Sequence, residues 1–146
     1  MTRRTLPRLR LQVQQSGSVS IAPLDVSRLR RLVVAVLEQP LDLTLRFVAR
    51  AEAVRLNADY RRAQYAPGVL TFDYPDQASA DVVICPPVVR DEARQRGIPF
   101  AHHLSHMVVH GALHAQGYTH DEPGPAEQME AIERLALARF GIADPY

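Results

Sequence analysis

All six histidines of this 146-residue chain fall between positions 102 and 120. Neutral imidazole is the commonest protein ligand for transition metals, so the cluster points first to a bound cation. His102, His106, His110 and His114 step by four; on a helix they form one stripe, and any adjacent pair can grip an ion from the same face. Spacing alone does not choose the pair. Two neighbours favour His110 and His114. Gly111 lacks the side chain that would block another group from approaching the ion, and Gly117 permits the turn that swings His120 back as a third ligand.

His-x3-His-x5-His offers three neutral nitrogens at tetrahedral reach and leaves the fourth position for water. That open arrangement suits a hydrolytic zinc rather than a structural one. The single cysteine, Cys85, puts a closed thiolate site out of reach. It ends an apolar run and is expected in the core. The bland alternative for the histidines is surface or packing without metal, and His102 and His103 are assigned there, with His106 as support for the ligands or the core. A metalloprotease would carry glutamate after the first ligand histidine; that position is Gly111, which disfavours protease chemistry.

The ligands need a helix and a turn to position them. Residues from Phe100 to about Gln116 hold no proline and only Gly111 as glycine, and read as a buried helix. Strict alternation predicts half-buried strands at Leu9–Gln14 and Leu41–Phe47. Between them Val26, Leu29, Val33, Val36 and Leu37 mark a helix starting at Asp25 or Ser27 and ending before Pro40. A second helix is expected from Ala51 to about Arg62. The Pro67-Gly68 break and a short Val69–Phe72 strand follow. Val82–Cys85 is apolar on both faces and belongs in the middle of the sheet, ended by Pro86-Pro87. A short helix over Val88–Arg96 closes at Gly97. A last one runs from about Ala126 to Phe140, with Met129, Ile132, Ala136 and Phe140 inward and Glu127, Glu130 and Glu133 near its start, where carboxylates suit the dipole. The expectation is one α/β (α+β) domain over residues 1–146: a small mixed four-stranded sheet, about five helices, and a metal site on a central buried helix and the turn after it.

With 47% hydrophobic and 23% charged residues the chain can bury a single core. No run approaches the roughly 18 apolar residues that span a bilayer, and no signal-peptide run follows Arg3 and Arg4, so a cytoplasmic protein is expected. The net charge of +1 is uneven: residues 1–62 carry twelve arginines against five acids, and residues 63–146 carry five against eleven. Every fixed cation is arginine, whose planar fork suits phosphate, so the basic half is either solvated surface or a nucleic-acid contact. No basic run interleaved with aromatics is present, which favours backbone over base recognition.

The string from His106 through His110, His114, Gly117 and Tyr118 to His120 resembles the signature of the YbeY family of endoribonucleases, also described as rRNA maturation factors. Leu56-Asn57, Tyr60-Arg61, Val69–Phe72, Asp81–Cys85 and Asp144-Pro145-Tyr146 also fall where that family has similar residues. The resemblance implies a zinc ion held by His110, His114 and His120, with His114 and Arg61 as catalytic residues. Arg61 would bind phosphate and stabilise the transition state. It further implies single-strand-specific cleavage in ribosomal RNA maturation, at the 3′ end of the small-subunit RNA, and ribosome quality control. The implied partners are RNA, the small ribosomal subunit and its proteins, with no membrane or DNA partner. The alternative is a non-catalytic, metal-binding ribosome-assembly factor. The sequence departs from the family pattern at Ala63–Gly68, Thr71, Ala80 and Thr119; the last replaces a carboxylate that Asp121 or Glu122 would have to supply.

Overall fold

The structure, a computed structural model, describes residues 7–61 and 68–146, leaving aside the side chains of Tyr60 and Arg61. Four strands form one mixed sheet: β1 (Leu9–Gln15), β2 (Leu41–Phe47), β3 (Val69–Tyr74) and β4 (Ser79–Ile84), in the spatial order β1-β2-β4-β3. β1, β2 and β4 run parallel, and β3 pairs antiparallel with β4. The doubly apolar strand thus lies inside the sheet, as its sequence requires. Val82 sits between Leu45 of β2 and Thr71 of β3.

Alternation in β2 places Leu41, Leu43, Leu45 and Phe47 on one face, all buried, with Asp42 on the other side and exposed. Helix α1 (Val26–Val34) carries the chain from β1 to β2. Asp25 caps it, its carboxylate accepting from the Arg28 N–H at 2.8 Å, which decides between the two expected starts. Its buried residues are Leu29, Leu32 and Val33; Val26 is half exposed instead of inward, because capping by Asp25 leaves the first turn at the rim.

Helix α2 spans Arg50–Arg61. Its Ala53 joins Val48, Leu70, Val83 and Cys85 in a small second core. Cys85 is buried there, and burial pushes its thiol pKa up, so it behaves as a small apolar residue.

Helix α3 (Pro86–Arg96) takes in the two prolines that end β4. Proline is tolerated in a first turn because those N–H groups have no intrahelical partner anyway. Gly97, at φ 66°, closes the helix as expected. Helix α5 (Pro123–Ala138) likewise begins at a proline, three residues before the expected start.

Helix α4 (Phe100–His114) is the axis of the larger core, with Leu104, Val108, Val109, Ala112 and Leu113 buried against the sheet and helices. It crosses β4 at Gly111. A Cβ there would lie 2.5 Å from Val82 Cγ1, closer than real contacts allow. This corrects the expected role of Gly111. The missing side chain faces β4, not the histidines, and it sets how closely helix and sheet approach.

Candidate metal centre

α4 places His110 and His114 one turn apart at its C-terminal end, both half-buried. The helix stops at His114, and Gly117, at φ 98°, reverses the chain in a conformation costly for any side chain. The turn is pinned from outside. Gln116 donates to the Val36 carbonyl at 2.9 Å and accepts from the Glu38 N–H at 2.7 Å, and the Tyr118 hydroxyl donates to the Glu38 carboxylate at 2.7 Å. His120 is thereby brought back over the helix end, and the three predicted ligands meet.

His114 Nε2 lies 3.1 Å from His110 Nε2 and 2.9 Å from His120 Nδ1. Ligands at about 2.0–2.1 Å from a tetrahedral zinc stand roughly 3.3 Å apart, so the three rings are gathered on the scale of such an ion. Protonation points the same way. His114 Nδ1 lies 2.8 Å from the Tyr118 carbonyl, which can only accept, so Nδ1 carries the hydrogen and Nε2 keeps its lone pair. His110 Nδ1 lies 3.3 Å from Glu133 Oε1, which leaves its Nε2 lone pair facing that of His114 in the neutral ring. Bare lone pairs at this distance repel unless a cation lies among them. Burial first, then the neighbouring His110 and His120, push the His114 pKa down to about 4, so the ring is neutral and ready to ligate at pH 7.

Behind His110 stands Glu133 of α5, with no exposed surface. Burial by itself would raise its pKa; the hydrogen bonds and charge of His106 and His110 outweigh that and hold it at about 2. It also hydrogen-bonds with His106 Nε2. A carboxylate bonded to the far nitrogen of a ligand histidine fixes its tautomer and orientation. Glu133 is therefore a site residue that the sequence reading misplaced among helix-start carboxylates. A signal was available: at Met129+4 and Ala136−3, it falls within the inward stripe of α5. His106 is 4% exposed and supports the site through Glu133, in line with its expected role.

The other histidines do not converge. His103 is 1% exposed and lies 3.3 Å from Glu92 Oε1, and His102 is half-buried at the far end of the stripe. Thr119, Asp121 and Glu122 are exposed, and among the described residues neither acid makes a hydrogen bond or ion pair to the three rings. Arg61 ends α2, but its side chain lies outside the described residues, as does the segment 62–67 holding Pro67. Part of the basic excess is neutralised internally: Arg46 pairs with Glu52 at 2.8 Å, and Arg50 with Asp91. Among the described residues no helix is long and apolar enough to cross a membrane.

The fold matches a solution structure of a Thermotoga maritima protein with a TM-score of 0.57 over 92% of this chain and 97% of that one, at 20% identity. Two curated proteins, each described as Endoribonuclease YbeY, are far closer in sequence. The Thiobacillus denitrificans protein is 47% identical over 144 residues, covering 96% of this chain and 97% of that one. The Aromatoleum aromaticum protein is 43% identical over 143 residues, covering 95% and 93%. A family model described as Endoribonuclease YbeY matches residues 14–141, a span that contains β2 to α5 and all three converging histidines, and the chain belongs to that family.

Proposed function

We propose that this chain is a zinc-dependent endoribonuclease, specific for single strands, that acts in ribosomal RNA maturation at the 3′ end of the small-subunit RNA and in ribosome quality control. Family membership already makes it an endoribonuclease. The observation that carries the metal-dependent reading is the convergence of three ring nitrogens 2.9 and 3.1 Å apart, with a buried carboxylate behind one of them. The ligands would be His110, His114 and His120. An all-imidazole set with no thiolate suits zinc, which lowers the pKa of water it binds toward about 7.

The chain's own residues do the rest. The Tyr118 carbonyl keeps the proton of His114 on Nδ1, and Glu133 does the same for His110, so two nitrogens stay bare where the reaction takes place. His120 is exposed, which leaves the cluster open to a strand of RNA. As a phosphodiester is attacked, its equatorial oxygens gain negative charge. Arg61 takes the part of the fork that stabilises them, and the arginine-rich first half holds the backbone. Residues 1–146 act as one metallohydrolase domain in the cytoplasm, on the small ribosomal subunit and beside its proteins.

Elemental analysis together with cleavage of single-stranded RNA tests this. About one zinc per chain is expected in wild type and Arg61→Ala and none in His114→Ala, with cleavage lost in both variants. Zinc without cleavage in the wild type would indicate a metal-binding ribosome-assembly factor instead. A wild type that takes up no zinc would remove the chemical basis of the reading.

A further inference from the structure

Glu133 has no exposed surface, and among the described residues it has, besides its two histidines, one further hydrogen-bonding partner: the Tyr146 hydroxyl, 3.1 Å from Oε1 and 3.0 Å from Oε2. A carboxylate only accepts, so Tyr146 donates. The same hydroxyl lies 3.3 Å from His106 Nε2, and the tyrosine ring meets the His106 ring edge-on at 5.5 Å between centroids. Yet Tyr146 is 52% exposed, so apolar burial does not account for its position.

The segment also borders a cavity of about 460 Å³ lined by Arg96, Ile98, His102, His106, Ile142 and Tyr146, among others. Polar contacts hold it instead. Arg134, one residue after Glu133 on α5, donates to Asp144 at 3.0 Å, and Asp144 accepts the Tyr146 N–H at 2.9 Å. The Arg134 guanidinium also stands 5.3 Å from the Tyr146 ring centroid. Gly141, at φ 72°, turns the chain out of α5 and back along it.

We infer that residues 144–146 form a clasp in which Tyr146 is a positioning residue: its hydroxyl fixes the Glu133 carboxylate so that Glu133 aims His110 at the cation. The inference rests on the metal-centre reading above. Without the hydroxyl each Glu133 oxygen keeps only its histidine, the carboxylate is freer to rotate, and the His110 ring that depends on it is held less firmly. The path runs from Tyr146 through Glu133 to His110, so Tyr146 acts on the cation only through other residues.

The test is zinc affinity by chelator competition on the full chain, comparing wild type, Tyr146→Phe, Asp144→Asn and His114→Ala, with melting of the metal-free proteins in parallel. Tyr146→Phe keeps the ring and removes only the hydroxyl. It should weaken zinc binding roughly tenfold, as loss of partners beyond the ligands does. Asp144→Asn should weaken it less, in the same direction. Metal-free melting should be unchanged, and at saturating zinc kcat should recover with KM for RNA constant. Wild-type affinity in Tyr146→Phe, with His114→Ala inactive for zinc, would overturn the clasp and leave the metal centre standing. A melting loss that parallels the affinity loss would overturn it in favour of plain structural support. If wild type and His114→Ala both fail to bind zinc, the metal centre itself falls and the clasp with it.

Discussion

The two ends of helix α4 both carry histidines, and those histidines come to different ends. At its start, His103 is sealed against Glu92 and His102 lines a cavity wall, each without a converging imidazole nitrogen. At its end, His110 and His114 meet His120, with Glu133 behind one ring and a backbone carbonyl behind the other. Four-residue spacing puts rings on one face; it does not make a site. What separates the ends is the third imidazole brought in by a turn, and the acceptors that hold the outer nitrogens so that the inner ones stay bare.

The comparison breaks most decisively by removing one histidine from each end. His110→Ala is expected to abolish zinc uptake and RNA cleavage, and His102→Ala to leave both within about twofold of wild type, since a group without a ligand role contributes only surface-level effects. Elemental analysis and a gel-based cleavage assay read both; equal losses would erase the distinction.

Gly111 tests whether the metal end depends on the seating of the helix. Gly111→Ala drives a Cβ into Val82, 2.5 Å from Cγ1. Overpacking of this kind costs about 1–3 kcal/mol, to be seen in denaturant melts. Zinc stoichiometry should survive wherever the variant remains folded, because the glycine faces the sheet.

Acid should loosen the two ends in different windows. The folded His114 titrates at about 4, below its ordinary 6.5, so in between the unfolded chain binds more protons than the folded one. Stability of the metal-free protein from this residue is complete above pH 6.5 and is lost as pH falls to about 4. Glu133, held near 2, extends the loss from about 4.5 downward. At the other end the hydrogen bond from His103 lowers the Glu92 pKa, so the contribution of Glu92 is lost below about 4.5. Denaturation midpoints in a pH series should therefore begin to fall near pH 6.5, and His114→Ala should flatten the upper part of that fall.

The smallest effect is expected from Glu92→Gln. Glu92 is 39% exposed, and a partly solvated pair of this kind contributes about 1 kcal/mol or less. Melting should change little and zinc binding not at all.

Much of this was readable in the chain before folding. Local periodicity put four of the histidines on one helix face, the glycine at 117 announced the reversal, and alternation and apolar runs marked the strands, because each depends on neighbours within a few residues. Glu133 was legible only as a helix residue. Its carboxylate pairs with histidines 23 and 27 positions away, a match that depends on how α5 is laid across α4. Gly111 could be recognised as unusual, but its reason, contact with Val82 on an inner strand, follows from sheet order and helix depth. Spacing thus named the ligand candidates, while packing between distant elements chose which of them are backed, desolvated and held bare, because burial and hydrogen-bond partners belong to three dimensions and not to sequence distance.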